Sequence, residues 1–105
     1  MIEEELRMTI NKELDGTTLT VAVAGRLDTN TAPELEEELM NSLSDVKVLV
    51  LDFEGLEYIS SAGLRILLSA HKIMSKQDGM KVRNVNQAIQ DILDITGFTD
   101  ILTIE

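Results

Sequence analysis

The chain has 105 residues, 44 % of them apolar, with no cysteine and only three aromatics, Phe53, Tyr58 and Phe98. That predicts one domain over residues 1–105 with an aliphatic core, and it excludes disulfides and thiolate metal sites. Nine Lys and Arg against nineteen Asp and Glu leave a net charge of −10. Such a field repels phosphate backbones and anionic lipid, so direct nucleic-acid or membrane binding is not expected. It favours a basic protein partner, or in the plain alternative simply keeps the domain soluble.

Met1-Ile2-Glu3-Glu4-Glu5 lacks the basic-then-apolar order of a signal peptide. No apolar run approaches the roughly 20 residues that span a bilayer. The expected location is the cytoplasm. From Glu5 to Asn11 the residues alternate, with Leu6, Met8 and Ile10 on one side, which predicts a half-buried strand. Asp15-Gly16 is a hairpin signal. Thr17–Ala24 alternates again, with Leu19, Val21 and Val23 inward, so the chain opens with an antiparallel hairpin.

After Gly25-Arg26-Leu27-Asp28, the tetrad Thr31-Ala32-Pro33-Glu34 has the form of a capping box with Pro in the first turn. The helix it starts carries Leu35, Leu39, Met40 and Leu43 inward. Glu34, Glu36, Glu37 and Glu38 crowd its first half, where the helix dipole favours negative charge.

Val46–Leu51 is nearly unbroken in its apolarity, the pattern of a parallel strand buried on both faces. Asp52 and Gly55 end it. From Leu64 the apolar positions 64, 67, 68 and 74 are spaced as in a helix. Between strand and helix stand Ser60-Ser61-Ala62-Gly63. A hydroxyl there is a cap by default and a possible phosphate seat, because helix N-termini present unpaired N–H groups. Met80–Val85 predicts a further strand parallel to the central one. Asn86 caps a helix with Ala88, Ile89, Ile92 and Leu93 inward, Gly97 ends it, and Ile101–Ile104 is an optional last edge strand. The prediction is an α/β domain: a mixed four- to five-stranded sheet opening with an antiparallel hairpin, and helices mainly on one face.

Catalytic chemistry is poorly supplied. A Ser nucleophile needs a base within reach, and the sole histidine, His71, lies about ten residues along the same helix, well over 10 Å away at about 1.5 Å rise per residue. The nucleophile elbow, phosphate-binding loop and dinucleotide fingerprint are absent. Asp52, Glu54 and Glu57 read as turn residues, with no calcium-loop spacing. A response-regulator receiver would place an acidic pair after its first strand and a lysine after a later one. Here the corresponding residues are Asn11-Lys12-Glu13 and Asn84 with Asn86, and the opening hairpin conflicts with that topology. No enzyme, metal or cofactor is expected.

Three segments resemble the STAS family, the small bacterial anti-sigma factor antagonists. Gly25-Arg26-Leu27-Asp28-Thr29-Asn30-Thr31-Ala32 is similar to the family segment leaving the second strand. Val50-Leu51-Asp52-Phe53 through Tyr58-Ile59-Ser60-Ser61-Ala62-Gly63-Leu64 is similar to its strand and D-S-(S/T)-G-L corner. Asp94-Ile95-Thr96-Gly97-Phe98 is similar to a later family element.

The resemblance implies a cytoplasmic monomer that binds an anti-sigma factor with GHKL-type serine kinase activity and so releases a sigma factor. That kinase phosphorylates the protein and dissociates, and a serine phosphatase resets it. It implies Ser61 as the phosphorylation site, with Ser60 the alternative. It also implies a partner-binding set of Asp28, Thr29, Asn30, Ser60, Ser61, Ala62, Gly63, Leu64 and Arg65. Two positions depart from the family pattern: Ser60 stands where the family has Asp, and Ala62 where it has a second hydroxyl. An interaction module that docks on another regulator or kinase complex without switching is the alternative function.

Overall fold

The computed structural model describes residues 8–105. Strands β1 (Thr9–Asp15) and β2 (Thr18–Leu27) form the expected hairpin, with Thr9 opposite Ala24 and Asp15 opposite Thr18. Its two turn residues are Gly16 and Thr17, one position later than the Asp-Gly pair suggests, and Gly16 takes φ +62°. Of the alternation expected over Glu5–Asn11, Met8 is buried and Ile10 half-buried; residues 5–7 lie outside the described residues.

β2 is the spine of the sheet. Leu19, Val21, Val23 and Leu27 are buried, while Thr18, Thr20, Ala22 and Ala24 between them are half-exposed. That alternation is what helices covering mainly one face of a sheet produce. Along its first half β2 pairs in parallel with β3 (Val48–Asp52), whose Leu49, Val50 and Leu51 are all buried. Along its last three residues β2 pairs in parallel with β4 (Leu56–Ile59). β5 (Met80–Arg83) lies parallel to β3, and the edge strand β6 (Thr103–Ile104) lies parallel to β5. The order is β1-β2-β3-β5-β6 with β4 beside β2.

β4 is one strand more than the sequence suggests. Its burial pattern, buried-exposed-exposed-buried, lacks the period-2 signal of a half-covered strand. Its pairing depends on a register shift in β2 at Gly25-Arg26, where Gly25 takes φ +90° and its N–H donates to Gly55 O at 2.9 Å. A Cβ at Gly55 would stand 2.7 Å from Ala24 Cβ, so the return of the chain past β2 requires glycine there.

Helices α1 (Ala32–Ser42), α2 (Ser61–Met74) and α3 (Gln87–Ile95) supply Leu35, Leu39, Leu67, Ala70, Met74, Ile89 and Leu93 to one core with the strands. Met40 is 42 % exposed, not inward, because 35, 39 and 43 already form the buried row and position 40 is turned about 100° from it. Ala88 is exposed for the same reason beside Ile89. Asn86 caps α3, its side chain accepting from Ile89 N–H at 2.9 Å, and Gly97 follows the helix at φ +82°. Between α2 and β5 the Gln77 side-chain amide donates to the carbonyls of Leu43 and Val46, tying the turn to the start of β3.

At the C-terminal edge of the sheet Asp52 joins β3 to β5. Its Oδ1 accepts from Asn84 Nδ2 at 3.0 Å and from Glu54 N–H at 3.0 Å, and its Oδ2 lies 3.7 Å from Arg83 Nε. Asn84 holds this position at φ +60°, a conformation Asn tolerates better than most residues. The Asn84 bond is the largest influence holding the Asp52 carboxyl below its ordinary value of 3.8, with Glu54 N–H and Arg83 acting in the same sense against burial. A lowered folded value means that the unfolded chain binds more protons. The stabilisation is therefore present above about pH 3.9 and is lost as pH falls through the folded value. Acid titration of the urea midpoint is expected to fall less steeply below pH 4 in Asp52→Asn than in the wild type; identical slopes would contradict this.

Candidate functional site

The pairing of β4 with the end of β2 places two chain segments side by side. Ser60 N–H donates to Leu27 O at 2.9 Å, so the start of α2 is anchored to the residue from which the 28–31 loop departs. The predicted segments 28–30 and 60–65 thereby meet at one corner, although they are about thirty residues apart in the chain.

The loop is organised by Asp28 and Thr31. Asp28 Oδ1 accepts from Asn30 N–H at 2.9 Å and Thr31 N–H at 3.1 Å. The Thr31 hydroxyl donates to Arg26 O at 2.7 Å and accepts from Asp28 N–H at 2.9 Å. The capping box read from Thr31-Ala32-Pro33-Glu34 does not form. Thr31 sits at φ −99°, ψ −21° with no side-chain cap bond, whereas an N-cap hydroxyl reaches the helix from extended backbone. Here the hydroxyl closes the loop instead.

Burial is the largest single influence on the Asp28 carboxyl and pushes it up. The Thr31 and Asn30 N–H groups, the Thr31 hydroxyl and Arg26 together outweigh it, so the carboxyl lies below its ordinary value. Replacing Asp28 by Ala removes the acceptor of the exposed Asn30 N–H and one of two acceptors of Thr31 N–H, which also reaches Asp28 O at 3.2 Å. A loss of about 0.5–1.5 kcal/mol is expected in urea denaturation, the net worth of ordinary hydrogen bonds; an unchanged midpoint would show that the loop does not depend on this carboxylate.

Two residues that the candidate set omits brace the corner. The Arg26 guanidinium lies 4.3 Å from the centroid of the Tyr58 ring, and its Nε is 3.7 Å from Asp28 Oδ2. The exposed ion pair adds little by itself, while a cation over an aromatic face contributes about 0.5–1 kcal/mol at exposed sites. One of only three aromatics lying next to the serines was the available signal for Tyr58; only the β2–β4 pairing brings Arg26 to it.

The two serines differ. Ser60 has extended backbone, φ −99° and ψ 177°, and is the N-cap of α2, its Oγ accepting from Gly63 N–H at a long 3.5 Å. Ser61 is the first helical residue and is exposed, and its hydroxyl makes no hydrogen bond among the described residues. Thr29, Asn30 and Arg65 are also exposed, and Ala62 is half-buried. Of the candidate set, Gly63 and Leu64 are the two buried members. A Cβ at Gly63 would stand 2.7 Å from Leu27 Cγ and 2.8 Å from Ile59 Cγ1. Gly63 sets the depth at which α2 meets β2 and β4.

Beside the corner runs a groove of about 430 Å³ between α1 and α2, lined by Thr29, Pro33, Glu36, Ala62, Arg65 and Lys72 among others. His71 is on α2 ten positions beyond Ser61, about 15 Å along the helix axis. Glu57, read as a turn residue, lies within β4. Among the described residues no helix is long and apolar enough to cross a membrane.

The STAS domain profile matches residues 9–105. The chain belongs to the STAS family. An anti-sigma-B factor antagonist of Bacillus subtilis is 31 % identical over 87 residues, covering 82 % of this chain and 80 % of that protein. The crystal structure of an anti-sigma factor antagonist from Mycobacterium paratuberculosis superposes with a TM-score of 0.85 at 28 % identity, over 92 % of this chain and 84 % of that one. The Bacillus cell fate determinant SpoIIAA in its phosphorylated form shares the fold, with a TM-score of 0.73 at 15 % identity over 92 % of this chain and 91 % of that one. The STAS sheet, with its antiparallel opening hairpin and three helices, is the architecture of this chain.

Proposed function

We propose that this STAS protein is an anti-sigma factor antagonist that works by partner switching at Ser61. The observation that carries the reading is the exposed Ser61 hydroxyl in the first turn of α2, next to the Ser60–Leu27 anchor of the Asp28 loop and without a hydrogen bond among the described residues. Unmodified protein binds an anti-sigma factor with GHKL-type serine kinase activity through Asp28, Thr29, Asn30 and the exposed residues of 60–65, and a sigma factor is released.

The kinase then transfers the γ-phosphoryl group of ATP to Ser61 Oγ. The new O–P bond replaces the bond to ADP, and the hydroxyl proton passes to a base of the kinase. The domain needs no rearrangement, because a helix N-terminus accommodates added negative charge. The partner's surface, shaped to a neutral hydroxyl, meets a group of about −1.5 to −2 charge and dissociates. A serine phosphatase restores the hydroxyl. The protein itself catalyses nothing and works in the cytoplasm as a monomer.

The experiment is capture of the kinase from native lysate on the immobilised protein, followed by phosphopeptide mapping after incubation with that kinase and ATP, with Ser61→Ala and Ser60→Ala alongside the wild type. Phosphate on Ser61, abolished only by Ser61→Ala, is the expected result. Phosphate on Ser60 would move the switch to the N-cap. No phosphate on either would favour a constitutive docking module, the reading to which Ser60 and Ala62, in place of the family residues, point.

A further inference from the structure

We propose that Arg65 is a built-in clamp for the phosphoryl group on Ser61. The inference rests on the Ser61 switch and assigns what the modified domain does with its new charge. Ser61 and Arg65 are four residues apart in α2, so they share a helix face with Cβ atoms about 5–6 Å apart. A guanidinium on a long side chain reaches a phosphate at that separation, and its planar fork matches two phosphate oxygens.

Arg65 is free to do so. It is exposed, and none of the ion pairs among the described residues uses it, whereas Arg26 and Arg83 are engaged by Asp28 and Asp52. The charged groups that share its groove are Glu36 of α1 and Lys72 of α2. Glu36 is the local competitor, a single negative charge; a phosphoserine at 61 carries nearly twice that.

Phosphorylation then changes the docking corner twice. It adds a dianion at Ser61 and turns an available cation, Arg65, back onto its own helix. Ser60 could not produce the second change. It is five residues from Arg65, about 140° around the helix axis, and outside the helix as its N-cap.

The test uses the full chain with phosphoserine incorporated during translation at position 61, so that no kinase is required, and follows the phosphate by ³¹P NMR as a function of pH. A nearby guanidinium favours the dianion and lowers its midpoint. The midpoint is expected to lie about 0.3 pH unit or more lower in the Arg65 protein than in Arg65→Gln. Arg65→Lys should restore most of the difference, and phosphoserine at position 60 should not respond to Arg65→Gln. Equal midpoints in the Arg65 protein and in Arg65→Gln would overturn the clamp. Because the phosphate is installed without the kinase, that result would leave the switching reading standing. Failure of the captured kinase to modify Ser61 would sink that reading whatever the titration shows.

Discussion

Gly63→Ala is expected to destabilise the domain by about 1–3 kcal/mol, the usual cost of forcing an extra carbon into a packed core. Helix propensity points the other way, since Ala is favoured over Gly by about 1 kcal/mol in a helix interior. Packing decides the sign. The added carbon would meet Leu27 Cγ at 2.7 Å and Ile59 Cγ1 at 2.8 Å, and both residues are buried at the ends of β2 and β4. Neither contact is the loose tip of a long chain, so the helix start must lift or two core side chains must leave their rotamers. For a domain of this size each kcal/mol moves the thermal midpoint by roughly 4–8 °C. A thermal scan and a urea titration together would check it, and a midpoint equal to or above the wild type would show that α2 does not sit this deeply. Gly63→Val should be worse, because a β-branched side chain adds two more carbons to the same space.

Ser61→Asp is expected to weaken binding to the anti-sigma partner at least a hundredfold, a difference of about 3 kcal/mol, while leaving the fold intact. The carboxylate stands at an exposed position in the first turn of α2, where the dipole tolerates it. The cost falls on the interface, which would desolvate a charge with no partner built for it. Ser60→Asp is the matched control. Asp is a good N-cap, and Ser60 Oγ holds Gly63 N–H only at 3.5 Å, so the added charge is satisfied within the domain. Isothermal titration against the purified partner should show a large loss at 61 and little at 60. An equal loss at both would mean that the interface responds to net charge and not to the Ser61 hydroxyl.

Much of this architecture is legible in the residues themselves, for a local reason. The alternation of Leu19, Val21 and Val23 and the rows Leu35–Leu39–Leu43 and Ile89–Leu93 encode which side faces the core, and the apolar run Val46–Leu51 encodes a strand covered on both faces. Turns announce themselves in the same way, as with Gly16, Asn86 and Gly97. The motif around Ser60-Ser61 is legible as a strand-to-helix corner because an apolar strand and a helical spacing flank it. Local signals also mislead where a side chain has two possible partners: Thr31 carries the form of a helix cap but closes the loop onto Arg26 and Asp28 instead.

The residues alone determine the strand-forming and helix-forming segments, the acidic surface and the two hydroxyls at a helix start. Only the tertiary structure decides that β4 exists, because its four residues pair with β2 through a glycine bulge and show no periodicity of their own. From that one pairing follow the Ser60–Leu27 bond that brings the Asp28 loop to the start of α2, the stack of Arg26 on Tyr58 and the close packing of Gly63 on Leu27. Each joins residues about thirty positions apart, and contacts at that separation are set by the packing of the whole sheet, not by the preferences of any segment.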